Sequence, residues 1–145
     1  MRRSWVAVLL VLGVAACTGP VRSDNVYESK AGRTAETVVG AVETARLAVD
    51  AGGGGKAYGR YLAQVLAEAE EDAGAAQGTF DAIQPPDRRA DRLRDRLDQL
   101  LTEATSTLAE LRIAARRGRT AELPRLAAPL GKVAEQLHAF AEAYA

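Results

Sequence analysis

Four long segments of the chain repeat apolar residues at alternating spacings of three and four, and this pattern constrains the fold more than any other feature. Such spacing places apolar side chains on one face of an α-helix. No run of alternating β-branched residues, which would indicate a strand, competes with it. Glycines 52–55, Pro85-Pro86 and Gly118 separate the segments, because glycine and proline disfavour continued helix. The sequence therefore predicts an all-α protein.

The segments predict helices over residues 27–50, 57–84, 87–117 and 121–144. At 1.5 Å per residue these helices are about 36–46 Å long, so they can pack side by side. Short loops between them predict an antiparallel up-down-up-down four-helix bundle. The expected core stripes are Ala31, Ala35, Val38, Val42, Ala45 and Val49; Tyr58, Leu62, Val65, Ala69, Ala73, Ala76, Phe80 and Ile83; Leu93, Leu97, Leu100, Ala104, Thr107, Leu111 and Ala114; and Leu123, Leu126, Leu130, Val133, Leu137, Phe140 and Tyr144.

Local signals mark the ends of the third and fourth helices. Asp87 is expected to cap the third helix at its start, and Gly118 to end it. Thr120 is a possible cap for the fourth helix, where Pro124 fits the first turn. Pro129 lies deeper, so a kink or break is expected near it.

The chain begins with a charged start and a short apolar run. Arg2 and Arg3 precede residues 6–16, an almost unbroken apolar stretch that ends in small side chains. This arrangement is typical of a secretory signal peptide. A membrane-spanning helix needs about 20 apolar residues, so export followed by removal of residues 1–16 is expected. General secretion and twin-arginine export both remain open.

Val14-Ala15-Ala16-Cys17 closes this run. The four residues resemble the lipobox of bacterial lipoproteins, in which an aliphatic residue and two small ones precede a cysteine. The resemblance implies that the Cys17 thiol receives a diacylglyceryl group and that cleavage before Cys17 makes it the N-terminus. Val14 departs from the commonest form, which has leucine there. The alternative is an ordinary secretory cleavage that leaves Cys17, the single cysteine, as a free thiol.

Residues 17–25 are predicted to form the lipidated cysteine and a short flexible tether, and residues 26–145 a single helical domain. The formal net charge of zero gives no electrostatic case for binding nucleic acid. Of the 19 basic residues 16 are arginine, and alanine is abundant, which suggests a high-G+C genome. In composition and layout the chain resembles small helical lipoproteins of high-G+C Gram-positive bacteria, the actinobacteria. This resemblance implies no functional residue besides Cys17.

One motif has the spacing of a metal site. Glu135 and His138 match the Glu-x-x-His pattern of di-iron bundles, which need two such motifs and two further glutamates. His138 is the only histidine, and the stripe through Leu137 and Phe140 turns both residues outward. We therefore expect no metal site and no haem or other cofactor. With no Gly-x-Ser-x-Gly motif either, we do not expect an enzyme.

Gly74 and Gly78 form, with neighbouring alanines, a smooth patch in the second helix. Each glycine weakens the helix by about 1 kcal/mol relative to alanine. Close packing against a neighbouring helix is one interpretation of the patch. A groove for an apolar ligand or a partner helix is the other.

Nine arginines fall into two clusters, namely Arg88, Arg89, Arg92, Arg94 and Arg96, and then Arg112, Arg116, Arg117 and Arg119. The first cluster alternates with aspartates, which predicts a solvated, salt-bridged helix face. The second has fewer acidic neighbours and could bind anionic lipid headgroups. In an up-down bundle, however, the loop between the third and fourth helices lies away from the tethered N-terminus.

These observations predict a lipid-anchored protein on the extracytoplasmic face of the cell membrane. We expect a non-enzymatic bundle that acts as a structural or partner-binding module of the cell envelope, with an envelope protein as its possible partner. The alternative is a carrier or sensor that holds a small apolar ligand between its helices, near Gly74 and Gly78.

Overall fold

The protein folds as a bundle of four α-helices in the computed structural model, which describes residues 20–52 and 56–145. The helices are α1 (Pro20–Asp50), α2 (Lys56–Asp81), α3 (Arg88–Arg116) and α4 (Leu123–Ala143), with a 3-10 turn (Thr120–Glu122) before α4. Each helix packs against two neighbours in a ring, and α1 also contacts α3 across the diagonal. The predicted antiparallel up-down-up-down bundle is confirmed.

The two ends of the bundle are fixed by contacts between successive helices. At one end, the N-terminal pole (residues 24–33, 80–96 and 140–145), the ring of Tyr27 lies 5.3 Å from that of Phe80. At the other end, the far pole (residues 47–52, 58–62 and 115–124), the Tyr58 hydroxyl donates a hydrogen bond of 2.7 Å to the Ala48 carbonyl. The start of α1, the α2–α3 loop and the C-terminus therefore share one pole.

The core between these helices is apolar. Every buried side chain among the described residues is hydrophobic, and all six stripe residues predicted for α1 are buried. The α1 stripe is rich in alanine, which lets its backbone approach α3 across the diagonal. The leucines of α3 and α4 bury more apolar area, so they contribute most of the hydrophobic stabilisation.

The predicted stripe of α3 is shifted by one residue in its middle. Leu101 and Leu108 are fully buried, whereas the predicted Leu100 and Thr107 are half-buried. Leu97, Ala104 and Leu111, predicted for the other row of the stripe, are fully buried. The buried residues follow one another at spacings of four and then three from Leu97, so the second row runs through Leu101 and Leu108 instead of Leu100 and Thr107.

Both predicted end signals of α3 are confirmed. The carboxylate of Asp87 accepts hydrogen bonds of 2.8 Å from two backbone N–H groups of the first turn. At the other end Gly118 has φ +71°. The N–H of Arg119 donates to the Ala114 carbonyl at 2.9 Å, which closes a Schellman motif.

The predicted tether over residues 18–25 is wrong where the structure describes it, because α1 begins at Pro20. Proline is favourable in the first helical turn, since its φ angle is already helical and its missing N–H has no partner there. Residues 20–25 therefore extend α1 rather than form a flexible linker.

The helix α2 ends at Asp81, three residues before the predicted end. The guanidinium of Arg94, in α3, donates to the Asp81 carbonyl at 2.6 Å and to the Ile83 carbonyl at 3.4 Å. These bonds satisfy carbonyls that the end of a helix leaves unpaired. The Arg94 side chain of the next helix thus stabilises the end of α2 at Asp81, before the position that Pro85-Pro86 predicts.

The start of α4 differs from the prediction in two ways. Thr120 does not cap the helix: it begins the 3-10 turn, and no side chain caps either that turn or α4. Pro124 lies in the first turn, as predicted. The predicted break at Pro129 is wrong, because α4 continues through it. Pro129 and Arg125 are both exposed, so water can hydrate the carbonyl that loses its partner. A bend there stays a prediction.

Candidate functional site

The predicted lipid-attachment site lies outside the described residues. Val14, Ala15, Ala16 and Cys17 precede Pro20, where the described part of the chain begins. Lipidation of Cys17 and removal of residues 1–16 therefore stay predictions. Among residues 20–52 and 56–145, no helix is both long and apolar enough to cross a membrane.

Gly74 and Gly78 lie on the exposed face of α2. A Cβ added to either glycine meets no atom within 4 Å outside its own helix turn. Close helix packing therefore does not explain them. A groove between α1 and α2 passes beside them, through Ala75, Ala76 and Thr79, and includes neither glycine. A groove for a ligand or partner at Gly74 and Gly78 stays a prediction.

A shallow groove of about 670 Å³ runs between α1 and α2, and we call it the α1–α2 groove. Small side chains form it. Buried Ala41 and Ala69 lie at its floor, and Gly40 and Ala76 border it. Sequence reasoning missed this surface, although Thr34, Thr37, Ala41 and Thr44 form a second helical stripe beside the core stripe of α1.

Four threonines line the α1–α2 groove, and each uses its hydroxyl within its own helix. Thr34, Thr37, Thr44 and Thr79 donate to the carbonyl four residues earlier, at 2.8–3.0 Å. Their single donor hydrogens are therefore engaged. The groove thus presents a smooth wall of small residues rather than a set of donors for a polar ligand.

Three charged residues lie along the α1–α2 groove. Glu68 and Asp72 are exposed on its α2 wall, four residues apart, and Arg33 is exposed on its α1 wall toward the N-terminal pole. Residues four apart on a helix lie on the same face. The α2 wall is therefore acidic along its middle. A partner with a basic residue facing Glu68 and Asp72 would complement this charge.

The Glu-x-x-His motif is on the surface. Glu135 and His138 are exposed, as predicted from the stripe of α4. The Nε2 atom of His138 lies 3.5 Å from a carboxylate oxygen of Glu142, one turn later on the same helix. Nowhere in residues 20–52 and 56–145 do three His, Cys, Asp or Glu side chains gather in a way that could hold a metal ion.

The first arginine cluster pairs with other helices rather than with the aspartates of α3. Arg89 contacts Glu28 of α1 at 3.1 Å, and Arg94 contacts Asp81 of α2 at 3.9 Å. No arginine of this described cluster lies within 4.0 Å of a carboxylate of α3. The face is solvated and salt-bridged as predicted, but its ion pairs join α3 to α1 and α2 instead of to the interleaved aspartates of α3.

Arg96 is held against the C-terminus. Its guanidinium donates a hydrogen bond to the Tyr144 hydroxyl. It also lies 6.0 Å from the ring centre of Phe140 and 5.9 Å from that of Tyr144, within the range of cation–π attraction. This contact joins α3 to the end of α4.

The second arginine cluster lies at the far pole and on the α2–α3 contact. Arg112 donates two hydrogen bonds to Glu70 of α2, and these bonds raise the pKa of its guanidinium. Arg116 and Arg117 are exposed near the α3–α4 loop, where Arg119 pairs with Glu122 at 3.0 Å. The loop lies at the opposite end of the bundle from Pro20, as the topology predicted.

No protein-family model matches this sequence. No curated protein and no solved structure matches it either. Function therefore has to be inferred from the chain's own residues.

Proposed function

We propose that the chain is a membrane-anchored extracytoplasmic lipoprotein whose non-enzymatic bundle is a structural or partner-binding module of the cell envelope. The observation that carries this proposal is Val14-Ala15-Ala16-Cys17 directly after the apolar run of residues 6–16. A diacylglyceryl group on Cys17 inserts into the membrane and holds the bundle beside it.

The composition of the bundle's interior supports a non-enzymatic role. Within the described residues the buried side chains are all hydrophobic. Catalytic sites instead gather titratable groups whose pKa values are shifted by burial and by one another. The one buried titratable side chain described, Tyr27, packs against a phenylalanine ring.

The α1–α2 groove supports partner binding. Its small residues let the backbone of another helix approach closely, as in complexes where a helix lies in a groove. The acidic wall formed by Glu68 and Asp72 favours a helix with basic residues along one side. The proposed partner is therefore an envelope protein that offers such a helix.

The anchor is tested by Cys17→Ala in the native host. The variant is expected to lose membrane retention and to accumulate as the uncleaved precursor, because no thiol is left to acylate. The matched control, Val14→Leu, keeps the cysteine and should be processed and retained. Fractionation and the mass of the N-terminal peptide measure both effects. A Cys17→Ala protein that still carries lipid would show that the anchor lies elsewhere.

The partner surface is tested by in vivo photo-crosslinking. A photoreactive residue at Ala76, in the α1–α2 groove, is expected to trap one envelope protein repeatedly. The same group at Gln136, exposed on α4, is the matched control. Adding Glu68→Lys and Asp72→Lys should remove the Ala76 product. Equal products at both positions, or a product that survives the charge reversal, would contradict a partner in this groove.

A recess at the far pole favours the alternative role as carrier of a small apolar ligand. It has a volume of about 270 Å³ and is lined by apolar side chains including Val49, Leu62 and Leu123. Ligand pockets usually exceed about 300 Å³, so only a small molecule would fit. Native mass spectrometry of protein purified from membranes tests it. A bound apolar molecule that is lost in Leu62→Trp, which fills the recess, would support the carrier. Protein without added mass would count against it.

A further inference from the structure

The first half of α3 separates its charges into two rows. Arg88, Arg92 and Arg96 follow one another at intervals of four residues, and Arg89 lies beside them. At about 100° per residue these four arginines fall within one sector about 100° wide. Asp87, Asp91, Asp95 and Asp98 occupy the adjacent sector. We call the four arginines the basic row.

Along the basic row the charges four residues apart are alike, and like charges at i and i+4 are destabilising. Between the two rows, Arg88 and Asp91, and Arg92 and Asp95, are opposite charges three residues apart, which stabilise the helix. The separation therefore concentrates positive charge on one flank of α3.

The basic row is available to solvent. All four arginines are exposed. Among the described residues, neither Arg88 nor Arg92 has a carboxylate within 4.0 Å, while Arg89 contacts Glu28 and Arg96 contacts the Tyr144 hydroxyl. Arg89, Arg92 and Arg96 also line a surface groove of about 440 Å³ beside Tyr144, together with Asp95 and Leu93.

The charge of the side chains in this sector of α3 changes sign along the helix. The next two charged residues in it are Glu103 and Glu110, toward the far pole. The flank is therefore basic at the N-terminal pole and acidic beyond it. Near an anionic surface, such a flank is attracted at its basic end and repelled at its acidic end.

The basic row lies near the proposed anchor. Two residues separate Cys17 from Pro20, so the three Cα–Cα steps between them span at most about 11 Å. Glu28, which contacts Arg89, is eight residues further along α1, a rise of about 12 Å. The backbone of Glu28, the ion-pair partner of Arg89, is therefore within roughly 23 Å of the lipid-bearing residue, so a leaning bundle can place the row on the membrane.

We propose that Arg88, Arg89, Arg92 and Arg96 bind the phosphate groups of anionic phospholipids in the membrane that holds Cys17. Guanidinium groups match phosphate oxygens in charge and geometry. Basic residues beside a lipid anchor add to membrane affinity. The bundle then leans with the N-terminal half of α3 on the bilayer. This inference rests on the proposed lipid anchor.

The test uses the full-length protein purified from membranes and reconstituted into two kinds of vesicle, phosphatidylcholine alone and phosphatidylcholine with phosphatidylglycerol. A fluorophore on Gln99→Cys reports the position of the row, because Gln99 lies in the same sector and is exposed. Acylation leaves the Cys17 thiol blocked. Energy transfer to a headgroup-labelled lipid is expected to be greater in the anionic vesicles, and the increase should disappear in high salt.

Two pairs of substitutions test the arginines. Arg88→Gln with Arg92→Gln is expected to lose the increase in transfer. Arg116→Gln with Arg117→Gln removes the same amount of charge at the far pole, and the increase in transfer should remain. Equal transfer in both vesicles, or an increase that survives the first pair, would overturn the proposal. So would transfer that rises only after an envelope protein is added, which would assign the row to an acidic protein.

The mass of the N-terminal peptide is a separate measurement that reports whether Cys17 is lipidated. A lipidated Cys17 with no response to anionic lipid would refute the basic row alone. An unlipidated chain would refute the anchor. Co-sedimentation of that chain with the same vesicles, compared between the two pairs of substitutions, would then decide whether the arginines bind lipid.

Discussion

The backbone of Gly32 in α1 lies against the carbonyl group of Tyr144 at the end of the chain. A methyl group on Gly32 would lie 2.6 Å from the carbonyl oxygen and 2.8 Å from its carbon. Only glycine allows this contact. It holds the Tyr144 ring 4.7 Å from that of Phe140 and places the Tyr144 hydroxyl where it accepts the hydrogen bond from Arg96. The C-terminus is therefore part of the N-terminal pole.

Gly32→Ala is expected to lower the free energy of unfolding. Overpacking typically costs about 1–3 kcal/mol, more than the roughly 1 kcal/mol that alanine gains in helix propensity. Urea denaturation followed by circular dichroism measures the change. In a chain that lacks Tyr144 and Ala145 the clash is absent, so the same substitution should stabilise. A stabilising effect in the full-length chain would contradict the contact.

Gly74→Ala and Gly78→Ala are expected to have the opposite effect. Both positions are open to solvent, so alanine should raise the free energy of unfolding by about 0.5–1 kcal/mol at each. Gly118→Ala is the contrasting variant, because its φ of +71° should make alanine destabilising. The same urea experiment compares all three. A loss of stability at Gly74 would mean that another part of the molecule covers this face.

Tyr27→Phe is expected to leave stability unchanged or to raise it by about 1 kcal/mol, because an unsatisfied hydroxyl is costly to bury. The Tyr27 ring is buried against Phe80, and its hydroxyl has no hydrogen-bond partner in the described part of the chain. Tyr61→Phe, at a side chain that is 66% exposed, is the control. A clear loss of stability in Tyr27→Phe and none in Tyr61→Phe would show that the Tyr27 hydroxyl has a hydrogen-bond partner.

The same substitution should change the response to alkaline pH. Burial raises the pKa of Tyr27, an effect that Arg94 opposes and Asp91 reinforces. An unfolded tyrosine ionises near pH 10, so the folded state keeps a proton that the unfolded state loses. The free energy of unfolding should therefore fall above about pH 10, and less steeply in Tyr27→Phe. The same fall in the free energy of unfolding above pH 10 in the unsubstituted protein and in Tyr27→Phe would contradict this.

Sequence reasoning succeeded where a structural signal is local. Asp87 and Gly118 mark the ends of α3 because a cap and a left-handed turn depend on a few neighbouring residues. It failed where a distant residue decides. Arg94 satisfies carbonyls at the end of α2, and no pattern within α2 shows that a guanidinium from α3 will be there.

The candidate sites divide in the same way. The lipobox at Cys17 is entirely a sequence signal. The α1–α2 groove depends on which faces of two helices meet. The second stripe through Thr37 can therefore be identified as a groove wall only once the packing of α1 against α2 is known. The arginines and aspartates of α3 alternate in sequence, yet the 100° turn per residue separates them into rows.

The register of α3 offers the sharpest test of the packing. The register predicted from the sequence has Leu100 as a core residue, but the structure buries Leu101 fully and leaves Leu100 half-buried. Leu101→Ala should therefore lower the free energy of unfolding by about 2–5 kcal/mol, the usual range for a buried leucine. Leu100→Ala, the same change one residue earlier, should cost clearly less, because part of its side chain already contacts water. Urea denaturation of both variants measures the difference. Equal costs, or a larger cost at Leu100, would support the predicted register through Leu100 instead.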